Sequence, residues 1–208
     1  MFYFDMPTEQ PASSKDASMY EGVRSIFSKY WAAYGGIKAL LHSPYLHAAV
    51  LLLLITCFYW TSNKWWSDVK AVIPSLLGFT LGGFAVFIGF GDEKFRQLLA
   101  EPDEDPSANT PTSPSKESQS IYTELCSTFV HFIVIQCITL IYSIVFEALQ
   151  FPSPLSERFP HLFSWGNLIF SSLGFLLYLY VLTSVIAVTM HLFRIAVMYE
   201  EFQKSNPL

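Results

Sequence analysis

Charge is scarce in this chain, in which only 14% of 208 residues are charged. Soluble domains carry about 25% charged residues, so this composition excludes a surface that faces mostly water. The charged residues form no basic run, which argues against nucleic acid as a direct partner. Hydrophobic residues make up 52% of the chain, and this excess predicts an integral membrane protein with one helical bundle in lipid.

Cysteine is also rare. The odd count of three (Cys57, Cys126 and Cys137) and their apolar surroundings argue against a disulfide framework. Without a C-x-x-C spacing they do not indicate a metal site, and we expect free thiols among apolar neighbours. Residues 1–43 lack the basic-then-apolar order of a signal peptide, so the first transmembrane helix is expected to be the insertion signal.

Motifs of known enzymes are missing as well. The chain has no H-E-x-x-H, G-x-S-x-G, Walker A or G-x-G-x-x-G pattern, and its five histidines are scattered. His47 and His131 are candidates for burial. We therefore predict no enzymatic activity, no catalytic, cofactor-binding or metal-binding residues, and no cofactor.

Long apolar segments predict an all-α integral membrane fold, a four-transmembrane-helix bundle within residues 44–202. The spans are expected at about 44–60, 72–90, 122–149 and 167–192. The fourth helical pattern continues to about Phe202, beyond the ~20 residues needed to cross, so its end should project from the membrane. Residues 203–208 form a C-terminal tail.

An amphipathic helix is predicted over residues 20–34 of the N-terminal segment 1–43, after a polar and mobile stretch up to residue 19. Gly35 and Gly36 should break or bend it. Its apolar face carries Val23, Ile26, Phe27, Tyr30, Trp31, Tyr34 and Ile37. Such a helix suits the membrane interface, but packing on the cytoplasmic end of the bundle is an equal alternative.

The second span carries a seam of small residues at spacings of three and four. Its members are Ser75, Gly78, Gly82, Ala85 and Gly89. Such seams let helix backbones approach closely in lipid, so a helix–helix contact is predicted, within one chain or between subunits. Pro74 lies near the start of this span, where proline is tolerated.

The third span carries a polar stripe, and lipid cannot satisfy its hydrogen bonds. Its members are Glu124, Thr128, His131, Gln136, Thr139 and Ser143. Interhelical hydrogen bonding is the favoured interpretation, and a hydrated path or sensor element is the functional one. A proton relay between Glu124 and His131, seven residues apart on one face, is a further hypothesis.

Between the second and third spans, residues 101–120 are rich in proline, serine, threonine and acids, which predicts a disordered cytoplasmic linker. Asp92 can cap the amphipathic turn that follows it, which lies before this linker. The polar cytoplasmic segments suggest a surface for a partner protein. Its candidate residues are Asp92, Glu93, Lys94, Phe95, Arg96, Arg194, Glu200 and Glu201.

The distribution of basic residues predicts the orientation. Nine of the twelve lysines and arginines fall in the N-terminal segment, the connection between spans two and three, and the C-terminal end. Three fall in the other two connections. By the positive-inside rule, a multi-pass protein with both termini in the cytoplasm is predicted.

The stretch VIPSLLGFTLGGFAVFIGFGDEKFRQLL, residues 72–99, followed by a polar linker and two further spans, resembles the membrane subunits of the bacterial Kiwa anti-phage defence system, the KwaA family. The resemblance implies an inner-membrane sensor that forms homo-oligomers, as tetramers. It also implies detection of phage attachment or envelope disturbance, and a cytoplasmic DNA-binding partner of the KwaB type. It implies no role for any single residue.

Three functions therefore remain in competition. A non-enzymatic membrane sensor and scaffold subunit of an anti-phage defence complex is favoured. An ion channel or pore-forming effector, which would use the polar stripe around an axis, is the alternative. A small transporter is less favoured because the chain shows no inverted repeat.

Overall fold

The computed structural model describes residues 13–89, 93–100, 120–150 and 160–205, and almost all of these residues are helical. Their eight helices are α1 (Ser13–Tyr34), α2 (Gly36–Leu41), α3 (Pro44–Ile55), α4 (Cys57–Ser62), α5 (Trp65–Gly89), α6 (Glu93–Ala100), α7 (Ile121–Ala148) and α8 (Pro160–Ser205). The all-α prediction is therefore confirmed for the described part of the chain.

Three of the helices, α5, α7 and α8, are long and apolar enough to cross a membrane. This is compatible with a multi-pass membrane protein. The predicted first span, 44–60, corresponds to two shorter helices, since α3 ends at Ile55 and α4 begins at Cys57. Thr56 lies between them, and its hydroxyl donates to the carbonyl of Leu52 at 2.6 Å.

The bundle is built from pairwise contacts of α5 with α7, α7 with α8, and α3 with α8. These helices alternate in direction along the chain, so one end of the bundle gathers the start of α3, the end of α5 and the start of α7. We call this the α1 end, because α1 packs on α7 there. The opposite end, where α5 and α8 begin, is called the far end.

The far end is held by Trp65, the first residue of α5, which is fully buried. Its indole N–H donates to the hydroxyl of Ser171 on α8 at 2.8 Å. Gly174, one turn further along α8, faces the same indole, and a Cβ at this position would lie 2.7 Å from the Trp65 Cζ2 atom. The glycine therefore permits the close approach of α5 and α8.

Several helix boundaries differ from those that the sequence predicts. Helix α1 begins at Ser13 and not at residue 20, so it includes seven residues of the segment predicted to be mobile. Helix α5 begins at Trp65, which makes Pro74 an interior residue and not one near the start. Neighbouring groups in membrane bundles can compensate for the N–H that proline lacks, which permits such a position. Helix α8 begins at Pro160, a favoured first residue.

Ser120, predicted as the last residue of the disordered linker, is the N-cap of α7, and its hydroxyl oxygen accepts from the backbone N–H of Thr123 at 3.3 Å. Residues 101–119 and Asp92 lie outside the described residues. The amphipathic turn after Asp92 is α6, in which Phe95 and Leu99 are buried. The Phe95 ring packs against Tyr199 and Phe202 in the last turns of α8, with centroids 4.9 and 5.5 Å away.

Candidate functional site

A buried histidine joins three helices near the α1 end. His131, on α7, is only 7% exposed, and both of its ring nitrogens have partners. Nδ1 lies 2.8 Å from the hydroxyl of Tyr30 on α1, and Nε2 lies 3.1 Å from the hydroxyl of Tyr180 on α8. A neutral imidazole has one donor and one acceptor nitrogen, and a tyrosine hydroxyl can serve either. The ring is therefore fully satisfied without a charge.

A third tyrosine completes the site, which we call the His131 cluster (Tyr30, Tyr34, His131 and Tyr180). The ring of Tyr34 stacks on the imidazole, with centroids 3.8 Å apart and planes 11° apart. Its hydroxyl lies 3.3 Å from that of Tyr180. The four side chains form one continuous set of hydrogen bonds and ring contacts, so α1 cannot move away from α7 and α8 without breaking several of them.

The sequence of α1 explains how two tyrosines reach one histidine. Tyr30 and Tyr34 are four residues apart, which places them on the same face of the helix. Gly35 then adopts a φ of 93°, a left-handed conformation that favours glycine, and the chain turns into α2. The predicted break at Gly35 and Gly36 is confirmed, and it lets the end of α1 lie against the bundle.

The two interpretations of the amphipathic helix apply to different parts of α1. Tyr30, Trp31 and Tyr34 are half-buried against the bundle. Val23 and Ile26, on the same predicted face, are 65% and 71% exposed. The apolar face of α1 is thus covered by the bundle near the end of the helix and uncovered nearer its start. That the uncovered part lies in a membrane interface stays a prediction.

The environment of Tyr30 favours its neutral form. Burial, and to a smaller extent the neighbouring Tyr34 phenol, raises the pKa of this phenol from 10.0 to about 12. The hydroxyl therefore keeps its proton well above neutral pH and remains able to bond to His131.

Most side chains of the polar stripe of α7 are buried between the helices of this chain. His131, Gln136, Thr139 and Ser143 are buried, and Thr128 is half-buried. Thr139 and Ser143 donate to carbonyls of their own helix, at 2.7 and 2.8 Å. The Gln136 amide nitrogen donates to the Thr80 hydroxyl of α5 at 3.1 Å, while its carbonyl oxygen has no hydrogen bond in the described part of the chain.

Glu124 does not share this environment. Its side chain is exposed, and its charge acts on His191 of α8. The hydrogen bonds of His131 in the described residues go to tyrosines and not to this carboxylate. The predicted pairing of Glu124 with His131 is therefore not seen. His47, a second candidate for burial, is exposed on α3.

The small-residue seam of α5 faces outward. All five members are exposed, and a Cβ added at Gly78, Gly82 or Gly89 would meet nothing within 4 Å. The opposite face of α5, with Thr80 and Phe87, is the one that packs in the bundle. Of the two predicted contacts, the one within the chain is not made by the described helices, and a contact between subunits stays a prediction.

The predicted partner surface is only partly available. Lys94, Arg194, Glu200 and Glu201 are exposed. Phe95 is 1% exposed, so its place on that surface is wrong: its ring fills the space between α6 and the end of α8. The side chains of Glu93 and Arg96 lie outside the description. Glu200 forms an ion pair with Lys204, one turn away, at 2.6 Å.

The cysteines are three free thiols, each half-buried, as expected. Among the described residues, no group of three or more histidines, cysteines and acids is placed to hold a metal ion. At the far end, Lys70 of α5 and Glu147 of α7 form an ion pair of 2.5 Å that links the two helices.

Sequence reasoning found His131 but missed its partners. A buried histidine in an apolar helix needs two hydrogen-bonding groups, and the tyrosines of α1 and of the fourth span carry hydroxyls that could supply them. The hydrogen bond between Trp65 and Ser171 has no comparable signal in the sequence, because these residues are 106 positions apart.

No protein-family model, curated protein or solved structure matches this chain.

Proposed function

We propose that the chain is a non-enzymatic sensor and scaffold subunit of a bacterial anti-phage defence complex, located in the inner membrane. It detects disturbance of the envelope and engages a cytoplasmic DNA-binding effector of the KwaB type. One observation carries the sensing part of this proposal. The His131 cluster ties α1, a helix outside the long apolar segments, to the buried polar core of α7 and α8.

The proposal places four spans in the membrane. Helices α3 and α4 together extend over residues 44–62, which is about 28 Å of helix and close to the hydrocarbon thickness. They would form the first span, with α5, α7 and α8 as the others. The excess of basic residues at the α1 end supports a cytoplasmic location of this end and of both termini.

In this arrangement α1 is the part that meets lipid headgroups. Its uncovered apolar residues, such as Val23 and Ile26, are exposed, as are Arg24 and Lys29. Apolar and basic side chains on one helix favour the interface of an anionic membrane. A disturbance that shifts α1 would strain the contacts of Tyr30 and Tyr34 with the core. A contact that is either made or broken suits a two-state switch.

The scaffold part rests on two exposed surfaces. The seam of α5 offers a close-packing face to a second copy, and the resemblance to the KwaA family suggests a tetramer. Lys94, Arg194, Glu200 and Glu201 remain the candidate contacts for the effector, since they are exposed at the α1 end.

The test is protection of cells against phage. The gene, expressed together with its neighbour in the same operon, should lower the efficiency of plaque formation. Tyr30→Phe removes one hydroxyl from the His131 cluster and should reduce protection. Tyr20→Phe makes the same chemical change at an exposed position of the same helix and should leave protection intact. Equal protection by both variants would contradict the sensor role of the cluster.

Electrical recording separates the sensor from the alternative, an ion channel. The stripe residues His131, Gln136 and Ser143 are buried within one chain, which disfavours their lining a pore between subunits. Purified protein in a planar bilayer should therefore carry no steady current. Strong ion flux in the absence of any partner would favour the channel and contradict a purely sensory role.

A further inference from the structure

A cavity lies beside the His131 cluster, between the α2–α3 junction and α8. Its volume is about 290 Å³, and it is partly open. The space equals that of about ten water molecules, so it suits a headgroup better than a single ion. The lining residues that matter here are Ser43, Tyr45, Thr128, Ser184 and His191.

Three polar side chains of the lining, those of Ser43, Tyr45 and His191, have no hydrogen bond in the described part of the chain. Ser43 is the N-cap of α3, and its hydroxyl makes no capping bond. His191 is half-buried, and its ring has no described partner. Thr128 and Ser184 donate to carbonyls of their own helices at 3.0 and 2.6 Å, so their oxygens line the cavity as satisfied donors. Ser43, Tyr45 and His191 are left as donors for a ligand.

The surroundings of the cavity are basic on balance. Arg194 follows His191 by three residues on α8, and its charge acts on that ring. Lys38 precedes His42 by one turn on α2, and its carbonyl accepts from Nδ1 of His42 at 2.9 Å. Glu124 is the acid that acts on His191. Two permanent cations, Lys38 and Arg194, against one carboxylate, Glu124, favour an anionic ligand.

The position of the cavity identifies the class of anion. It lies where α3 begins, and the exposed apolar residues Leu51 and Leu54 follow within three turns. A molecule with a phosphate in the cavity and acyl chains along this face of α3 would match both surfaces. We infer that the cavity binds the phosphate headgroup of an anionic phospholipid of the cytoplasmic leaflet. The inference rests on the proposed membrane insertion and orientation, and it does not need the defence role.

The test measures lipid retention by the full chain. The protein, purified in detergent, is titrated with phosphatidylglycerol or with phosphatidylcholine, and bound lipid is counted by native mass spectrometry. We expect phosphatidylglycerol to bind more tightly. Arg194→Gln and His191→Gln should each weaken it about tenfold, the usual effect of losing one charged or buried hydrogen bond. Lys64→Gln, which removes an exposed cation at the far end, is the matched control and should bind as the unmodified protein does.

Three results would overturn the inference: equal retention of the two lipids, unchanged retention in both cavity variants, or displacement of the lipid by inorganic phosphate alone. The last would assign the site to a soluble anion. Thermal unfolding of each variant shows whether it is folded, and Ser43→Ala, at the cavity edge, provides a milder variant if the others unfold. Loss of phage protection with intact lipid binding would refute the proposed function and leave the lipid site standing.

Discussion

The hydroxyl of Tyr30 lies 2.8 Å from Nδ1 of His131, although 101 positions separate the two residues in the chain. One belongs to a helix outside the long apolar segments, and the other is buried on α7, near the α1 end of the bundle. The position of α1 is thus coupled to a polar group that lipid could not satisfy.

Tyr30→Phe should loosen α1. It leaves one nitrogen of a buried imidazole without its partner, at a cost of about 1–3 kcal/mol, and removes little ring contact. Amide hydrogen exchange of the second half of α1 should become faster, while that of α7 changes little. In Tyr20→Phe, changed at a position of α1 that is 80% exposed, hydrogen exchange should equal that of the unmodified chain. Unchanged exchange in Tyr30→Phe would show that ring packing alone holds the helix.

Alkaline pH should release the same contact. Because the pKa of Tyr30 is raised from 10.0 to about 12 in the folded chain, its contribution is fully present below pH 10 and is lost as the pH rises through about 12. The difference in ultraviolet absorbance between the unmodified protein and Tyr30→Phe should reveal one phenol that ionises near the upper value. A difference titration centred on the ordinary value would contradict the burial of this group.

Gly174→Ala should destabilise the far end. The new methyl group would meet the Trp65 indole and, at 2.5 Å, the Cε1 atom of Tyr142, and overpacking of this kind costs about 1–3 kcal/mol. The three half-buried thiols permit measurement, because a thiol-reactive dye reports their exposure on heating. Gly166→Ala, on the same helix and outside the α5 seam, is the control: nothing lies within 4 Å of the added methyl, and alanine favours a helix by about 0.5–1 kcal/mol. Its melting temperature should not fall.

Thr80→Ala should cost more than Gln136→Met. The first substitution leaves the buried amide nitrogen of Gln136 without its only described partner. The second removes both that donor and a carbonyl oxygen that already lacks a hydrogen bond, and replaces the amide with an apolar chain of similar length. The difference in melting temperature between the two variants measures the effect, and the reverse order would mean that Gln136 has a further partner.

Gly82→Leu should disturb association of subunits without harming the fold. The glycine faces outward with open space around it, so a larger side chain meets nothing in its own chain. If the seam is a contact between copies, cross-linked oligomers should become fewer while the melting temperature of the monomer is kept. Leu81→Phe, an enlargement on the neighbouring face of α5, is the matched control. Equal oligomer yields from both would show that the seam is not the interface.

The long elements of the fold could be predicted from the sequence because hydrophobic length determines them. Helices α5, α7 and α8 follow from uninterrupted apolar runs. The extra turns before Val72 and before Asn167 could not be predicted in the same way. Trp65, Trp66 and Trp165 are typical of a membrane boundary, and a boundary pattern marks where lipid ends without marking where the helix ends.

Of the candidate site, the histidine could be predicted from the sequence, but its tyrosine partners could not. A polar stripe on α7 follows from the spacing of hydrophilic residues on an apolar helix, and His131 is part of it. Which side chains satisfy that histidine depends on how α1 folds back after Gly35, a contact between distant parts of the chain that local patterns do not encode. The outward direction of the α5 seam is unpredictable for a similar reason, because Thr80 and Phe87 on the other face are as compatible with lipid as the glycines are.

Helix α8 has a mechanical consequence. Its 46 residues form one helix about 69 Å long, roughly twice the hydrocarbon thickness of a bilayer. It touches Trp65 near one end, the His131 cluster near the middle and Phe95 near the other end. Pivoting by about 5° around its middle would displace each tip by about 3 Å. A displacement at Tyr180 would therefore reach the residues that pack on α6 along one continuous helix.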